Sequence, residues 1–255
     1  MLDQGRIVVV AHKGGTGKTT VALNLGAELA ASGYRVLLVD ADPQGALGAA
    51  LGRLTAEKPT LYEVLTGVAP TDAAIKPAGL ERLDLIGADL DLSGLEVELP
   101  RQPGWQGTLR AVLEPLRAYD FVVIDTAPGL GILSYAALAA STAALVVTPP
   151  EFLAYRALRL VQETVERARQ EAPGLRFLGV VPTFATRQTR HAREVLEVLR
   201  DDYGEQVLPE IPRRVVLQDA ALAGQAVRAY APNSDAAGAF VKLAKEVIAR
   251  VHSTP

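Results

Sequence analysis

The chain has 255 residues, with 26 lysines and arginines against 29 aspartates and glutamates, so its net charge of −3 gives no overall basic field. Any contact with nucleic acid must therefore come from a local patch. The absence of cysteine excludes disulfides and a cysteine-ligated iron–sulfur cluster, and the length is enough to bury one large core.

Met1-Leu-Asp-Gln-Gly-Arg6 runs straight into an apolar segment, so no signal peptide is expected and the cytoplasm is the expected location. A strand is predicted near 6–11 and a helix near 18–32. Between them lies Val10-Ala-His-Lys-Gly-Gly-Thr-Gly-Lys-Thr-Thr20. Strand, glycine-rich turn and helix in that order form the context of a phosphate-binding loop. Gly14, Gly15 and Gly17 let successive backbone N–H groups curl around a phosphate, together with Thr16 and Thr20, at the positive end of a helix. Lys18 can reach β/γ-phosphates, and the Thr19 hydroxyl can ligate Mg²⁺. The loop departs from the common pattern twice: His12 stands where a glycine is expected, and a second lysine, Lys13, accompanies Lys18.

Further along, a strand near 35–40 closes on Asp40, followed by Ala41-Asp42-Pro43-Gln44-Gly45. Helices are predicted near 43–52 and 60–66 and a strand near 83–87. Residues 53–104 carry Pro59, Pro70, Pro77, Pro100 and Pro103, and read as loops and short helices lying over a sheet. A helix near 105–118 opens on Trp105, read as a packing anchor, and a strand near 121–125 closes on Asp125. Two buried strands ending in aspartate, in register with a phosphate loop, bring carboxylates to Mg²⁺ at the carboxyl edge of the sheet. Asp125 is assigned to the metal, and Asp40 to the same magnesium shell.

The apolar stretch Ile132–Thr148 approaches the length of a membrane span, but Ser134, Ser141 and Thr142 interrupt it. It reads as a helix near 133–140 and a strand near 143–148. Then follow a helix near 151–171, a strand near 177–182, a helix near 188–202, a strand near 206–211 and a helix near 235–251. Alternation of helices with Val/Leu/Ile-rich strands predicts an α/β fold, a mostly parallel twisted sheet with helices on both faces, over a single domain spanning 1–255.

Lys13-Gly-Gly-Thr-Gly-Lys-Thr-Thr20, Val39-Asp-Ala-Asp-Pro-Gln-Gly45 and Ile124-Asp-Thr-Ala-Pro-Gly129 resemble the ParA (Soj-type) group of deviant-Walker ATPases, which partition plasmids and chromosomes. The likeness continues through Gly179-Val-Val-Pro-Thr183, Ile211-Pro-Arg-Arg214 and Ala244-Lys-Glu-Val-Ile248, leaving no expected N-terminal helix-turn-helix extension. The wider group includes MinD-type proteins and nitrogenase iron protein; the missing cysteines set the latter's chemistry aside.

The resemblance implies ATP and Mg²⁺ as cofactors and slow ATP hydrolysis. It assigns Asp42 to positioning the attacking water; the alternative reading is an N-cap for a helix starting at Pro43. It assigns Lys13 to the phosphates of a partner subunit, so that ATP joins a sandwich homodimer and hydrolysis releases it. The base is expected between Pro182-Thr183 and Pro212-Arg213; the family's frequent aspartate is replaced here by Thr186. No Asn-Lys-x-Asp motif occurs, which favours ATP over GTP. Arg187, Arg190, Arg193, Arg213 and Arg214 are the expected contacts to non-specific double-stranded DNA, although Arg190–Glu194 and Arg193–Glu197 have the spacing of ordinary helix-surface pairs. Val216 stands where the family often has another arginine. A ParB-like activator and a nucleoid location follow from the same likeness. Two alternatives are a MinD-like membrane switch and an orphan positioner of protein cargo. Against the membrane switch, Phe240, Val241, Leu243, Ala244, Val247, Ile248 and Val251 are predicted to cover the sheet.

Overall fold

A computed structural model describes residues 4–53, 56–185 and 189–253. Seven strands form one sheet: β1 (Gly5–Val10), β2 (Val36–Ala41), β3 (Ile75–Pro77), β4 (Leu83–Ile86), β5 (Phe121–Thr126), β6 (Ala143–Thr148) and β7 (Arg176–Pro182). Their spatial order is β3-β4-β2-β5-β1-β6-β7, and every pairing is parallel except β3 with β4. The parallel strands are buried on both faces, as their continuous apolar sequences require.

Side chains alternate across the sheet and feed two cores. Ile7, Val9, Leu38 and Val123 face the helices Lys18–Ala31 and Asp235–His252, meeting Val21, Leu25, Leu29, Phe240, Leu243 and Val247. Val8, Val10, Leu37, Val39, Val122 and Ile124 face the helices Ile132–Ala139 and Phe152–Ala168, meeting Leu133, Leu138, Leu158, Val161 and Val165. The closing helix thus covers the sheet as its spacing predicts, although Val241 lies on its exposed side.

Three sequence expectations are corrected. The segment near 206–211 is not a strand: Val207 and Pro212 make only isolated bridges, to Val180 and Ala185. Pro209 and Pro212 have no N–H to donate, so a continuous ladder cannot form there. The predicted helix 105–118 is a 3₁₀ turn, Trp105–Gly107, followed by the short helix Thr108–Leu113, which gives way before Pro115. The helix expected from 43 begins only at Ala46 and ends at Ala50. Strand β3 and the helices Val215–Leu222 and Val227–Tyr230 were not foreseen from the sequence, whereas Thr71–Ala74 is one of the short helices expected within 53–104. Trp105 packs against Tyr135, with ring centroids 5.7 Å apart.

Candidate nucleotide site

Strand β1 lies between β5 and β6, where the crossovers diverge to opposite sides of the sheet. At such a switch point the carboxyl ends of the strands open a crevice for a ligand. The chain leaves β1 and turns through 12–17 before the helix Lys18–Ala31. Gly15 and Gly17 have φ of +71° and +88°, left-handed values that cost other residues roughly 1–2 kcal/mol. Gly17 is doubly constrained, since a Cβ there would lie 3.0 Å from the ring of Phe184. The loop is braced by the Thr16 hydroxyl, which donates to the Lys13 carbonyl at 3.2 Å. The Thr183 hydroxyl donates to the Thr16 carbonyl at 2.6 Å, tying in the chain that leaves β7.

The two lysines have opposite environments. Lys18 is buried at the start of the helix; burial lowers its pKa, while Asp125 and Asp42 pull it back up. Gly14, Gly15 and Lys13 are exposed, and no ion pair reaches Lys13 among the described residues. Beside Lys13 opens a cavity of about 410 Å³, whose lining includes His12, Thr16, Thr148, Leu153 and Arg156.

The register of β2 on β5 sets Asp40 opposite Asp125, both fully buried. Asp40 Oδ1 accepts from the Asp42 N–H at 3.1 Å, and Oδ2 from Leu47 N–H at 3.0 Å and Gly48 N–H at 3.4 Å. Burial first, then Asp125, push its pKa well above the usual carboxylate range. Asp40 therefore has both oxygens engaged by main chain and shapes the turn that carries Asp42. Asp42 accepts from the Gln44 N–H at 2.9 Å, an Asx turn. It does not cap a helix at Pro43; the N-cap is Gly45, at φ +63°.

Asp125 differs from Asp40. Its Oδ1 accepts from the Thr126 N–H at 3.1 Å, but its Oδ2 is buried without a hydrogen-bond partner. The Thr19 hydroxyl lies beside the carboxylate. Burial pushes the Asp125 pKa up to about 7, with the Thr19 hydroxyl and Lys18 opposing the rise and Asp42 adding to it. A buried carboxylate oxygen with free lone pairs next to a threonine hydroxyl is a donor set that suits a hard divalent cation. These residues fit Mg²⁺.

The two stretches expected around the base run side by side. Ile211 N–H donates to the Pro182 carbonyl at 2.8 Å, and Arg213 N–H to the Ala185 carbonyl at 3.1 Å. Thr186 and Arg187 lie outside the described residues. Phe184, part of the stretch after β7 expected near the base but not singled out there, holds an unusual φ of +52° beside Gly17. Its position against the loop depends on contacts distant in sequence, and no local signal announces it. Of the expected DNA contacts, Arg190 pairs with Glu194 at 2.6 Å and Arg214 with Asp235 at 2.8 Å. Arg193 and Arg213 are exposed.

A buried lysine at a helix start, a glycine loop and a carboxylate fitted for Mg²⁺ define a P-loop ATPase. A family profile described as "AAA domain" matches residues 5–176, and one described as "4Fe-4S iron sulfur cluster binding proteins, NifH/frxC family" matches residues 116–254. With no cysteine, the chain shares the second family's fold without its cluster ligands. A chromosome partitioning protein ParA from Caulobacter vibrioides is 42% identical over 96% of this chain and 94% of its own length. Among solved structures, cobyrinic acid a,c-diamide synthase from Mycobacterium smegmatis, with bound ATP analog and magnesium, is 34% identical with a TM-score of 0.82, covering 95% of this chain and 93% of its own. The septum site-determining protein MinD from Pyrococcus horikoshii, complexed with Mg-ADP, is 30% identical with the same TM-score of 0.82, covering 99% and 100%.

The chain belongs to the ParA/Soj family of deviant-Walker ATPases. Its cofactors are ATP and Mg²⁺, and its reaction is the hydrolysis of ATP.

Proposed function

We propose that the chain is a positioning ATPase that alternates between an ATP-joined dimer bound to DNA and a released form. The observation that carries this reading is the contrast between the two lysines. Lys18 is buried within its own loop, whereas Lys13 is exposed at the mouth with no ion pair among the described residues. A second cation that its own loop does not use is suited to phosphates presented by another subunit.

In this reading Lys18 and the N–H groups of residues 14–20 cradle the phosphates, and Thr19 and Asp125 hold the metal. Bound Mg²⁺ would supply charge neutralisation between phosphate oxygens. Asp40 fixes the turn that carries Asp42, and Asp42 orients the attacking water. Thr183, Pro182, Pro212 and Arg213 border the base. Arg190, Arg193, Arg213 and Arg214 form the basic surface for DNA phosphates. The ion pairs of Arg190 and Arg214 are exposed, and such pairs contribute only about 0–1 kcal/mol, so a phosphate can displace the carboxylate. A ParB-like activator, a cytoplasmic nucleoid location and a single domain complete the proposal.

The likeness to MinD raises a membrane-switch reading. Among the described residues no helix is long and apolar enough to cross a membrane. Phe240, Leu243, Ala244 and Val247 of the closing helix are buried in the core, which leaves them unavailable to a lipid surface.

Sedimentation with ADP, with ATP plus Mg²⁺, and with ATP, Mg²⁺ and a non-specific duplex tests the proposal. Dimerisation only with ATP, with DNA co-sedimentation that salt abolishes, is the expected result. A dimer that ignores DNA would overturn the DNA half of the reading, and a monomer in every state would overturn all of it.

A further inference from the structure

Glu96 belongs to none of the nucleotide motifs, yet its carboxylate holds the helix that follows the loop leaving Asp125. The helix Ile132–Ala139 begins after Gly131, whose lack of a side chain leaves it unable to cap the first N–H groups. The carboxylate of Glu96 does so instead, across 36 residues of sequence: Oε2 accepts from Ile132 N–H at 2.8 Å, and Oε1 from Leu133 N–H at 3.3 Å. An anion at this end of a helix is also favoured by the helix dipole. The contact is close, since a Cβ on Gly131 would lie 3.1 Å from both carboxylate oxygens. Glu96 is itself held by its neighbours, with Leu92, Leu95 and Leu99 all buried.

What precedes the capped helix gives this contact its significance. Residues 126–131 connect Asp125 to it. The loop is fixed at its first residue, where the Thr126 hydroxyl donates to the Val9 carbonyl at 2.8 Å. It then passes over the phosphate loop, with Pro128 carbons 3.6 and 3.7 Å from where a Cβ on Gly14 would stand. Gly129 turns it with φ +88°. Glu96 fixes the other end. The loop between the candidate metal ligand and the phosphate cradle is thus held by the sheet on one side and by one carboxylate on the other.

We propose that Glu96 is a positioning residue for ATP hydrolysis: by capping the helix Ile132–Ala139 it fixes the loop 126–131 against the phosphate-binding loop. It touches neither nucleotide nor metal. Its removal loosens the geometry in which the reaction occurs, while Lys18 and the loop N–H groups still hold the nucleotide.

The test uses the full chain and three variants, Glu96→Ala, Glu96→Gln and Gly131→Ala. Single-turnover hydrolysis, equilibrium affinity for ATP with Mg²⁺, and amide exchange are measured on each. Glu96→Ala is expected to slow hydrolysis at least about tenfold while affinity changes less than about twofold. Its Ile132 and Leu133 amides should exchange at least about tenfold faster than in the unaltered chain. Glu96→Gln keeps an oxygen acceptor and should recover much of the rate. Gly131 is at φ −69° and ψ −174°, an extended conformation open to alanine, and the atoms nearest a Cβ there are those of the Glu96 carboxylate, so Gly131→Ala should move both readouts in the same direction. Unchanged hydrolysis in both Glu96→Ala and Gly131→Ala would overturn the proposal, as would rate and affinity falling together. If Glu96→Ala fails to fold, Gly131→Ala decides alone. The amide-exchange arm tests the cap independently of whether the unaltered chain hydrolyses ATP.

Discussion

Asp40 and Asp125 are the same residue type at equivalent ends of adjacent strands, and their surroundings give them different tasks. Asp40 receives main-chain N–H groups on both oxygens, whereas Asp125 keeps Oδ2 without a partner. The sequence marks both as apolar runs closing on aspartate, and it holds no sign of which one the main chain satisfies. That depends on the turn at 42–45 and on where the next helix starts. The raised pKa of Asp125, about 7, yields a prediction. This value lies above that of an unfolded aspartate, so without metal the folded chain holds the proton more tightly. The protonated form then favours the fold at low pH, and that stability is lost as pH rises through about 7. Mg²⁺ needs the anion, so the sign for the metal is opposite. The stabilisation by Mg²⁺ with ATP, over ATP with chelator, should grow between about pH 6 and about pH 7 by up to ~1.4 kcal/mol per unit, then level off. Thermal unfolding across this range measures it. A metal-dependent shift that is flat with pH would remove Asp125 from the metal.

At the scale of elements, the helix Lys18–Ala31 must lie close to the sheet to present Lys18 at the end of β1. Gly26 makes that approach possible: a Cβ there would sit 2.5 Å from Leu38 Cδ2 and 3.5 Å from Leu83 Cδ1. Alanine in a helix is ordinarily better than glycine by about 1 kcal/mol. Leu38 and Leu83 are buried and cannot swing aside, so overpacking of about 1–3 kcal/mol prevails. Gly26→Ala is accordingly expected to lower the urea midpoint with an unchanged m-value; an increase would mean that the leucines repack. The elements legible in the sequence were those with strong internal signals: the apolar strands β1, β2, β4, β5, β6 and β7, and the long helices. The segment near 206–211 misled because it is largely apolar, while Pro209 within it and Pro212 just after it forbid the ladder that apolar character suggests. Strand β3 escaped because only three residues pair, and Pro77 is one of them. The chemistry of the phosphate loop was readable because contiguous residues carry it. Phe184 and Glu96 were not, because each acts on residues more than 30 positions away.

For the whole molecule, the decisive question is whether the nucleotide site is complete within one chain. The sheet, the loop and the buried carboxylates supply the proposed cradle, the candidate metal position and the turn that carries Asp42, all from one copy. Lys13 alone among the loop's charged groups faces outward, next to an apolar cavity bordered by Leu153 and Leu160, which are themselves 66% and 42% exposed. Charge and apolar surface side by side at the mouth of the site suit a second copy approaching across the phosphates. The substitution Lys13→Ala separates this arrangement from a lysine that serves only its own loop. If Lys13 acts across the interface, the variant should bind ATP with Mg²⁺ within about threefold of the unaltered chain, because Lys18 and the N–H cradle are intact. It should nevertheless sediment as a monomer with ATP and lose most of its turnover, since the transition-state charge is left without its second cation. A variant that still dimerises with ATP would place Lys13 outside the interface. A variant that loses ATP affinity as a monomer would instead make Lys13 a second cation for its own subunit's phosphates. The measurement pairs sedimentation velocity with equilibrium nucleotide binding on the same sample, so that loss of the dimer is not mistaken for loss of the ligand.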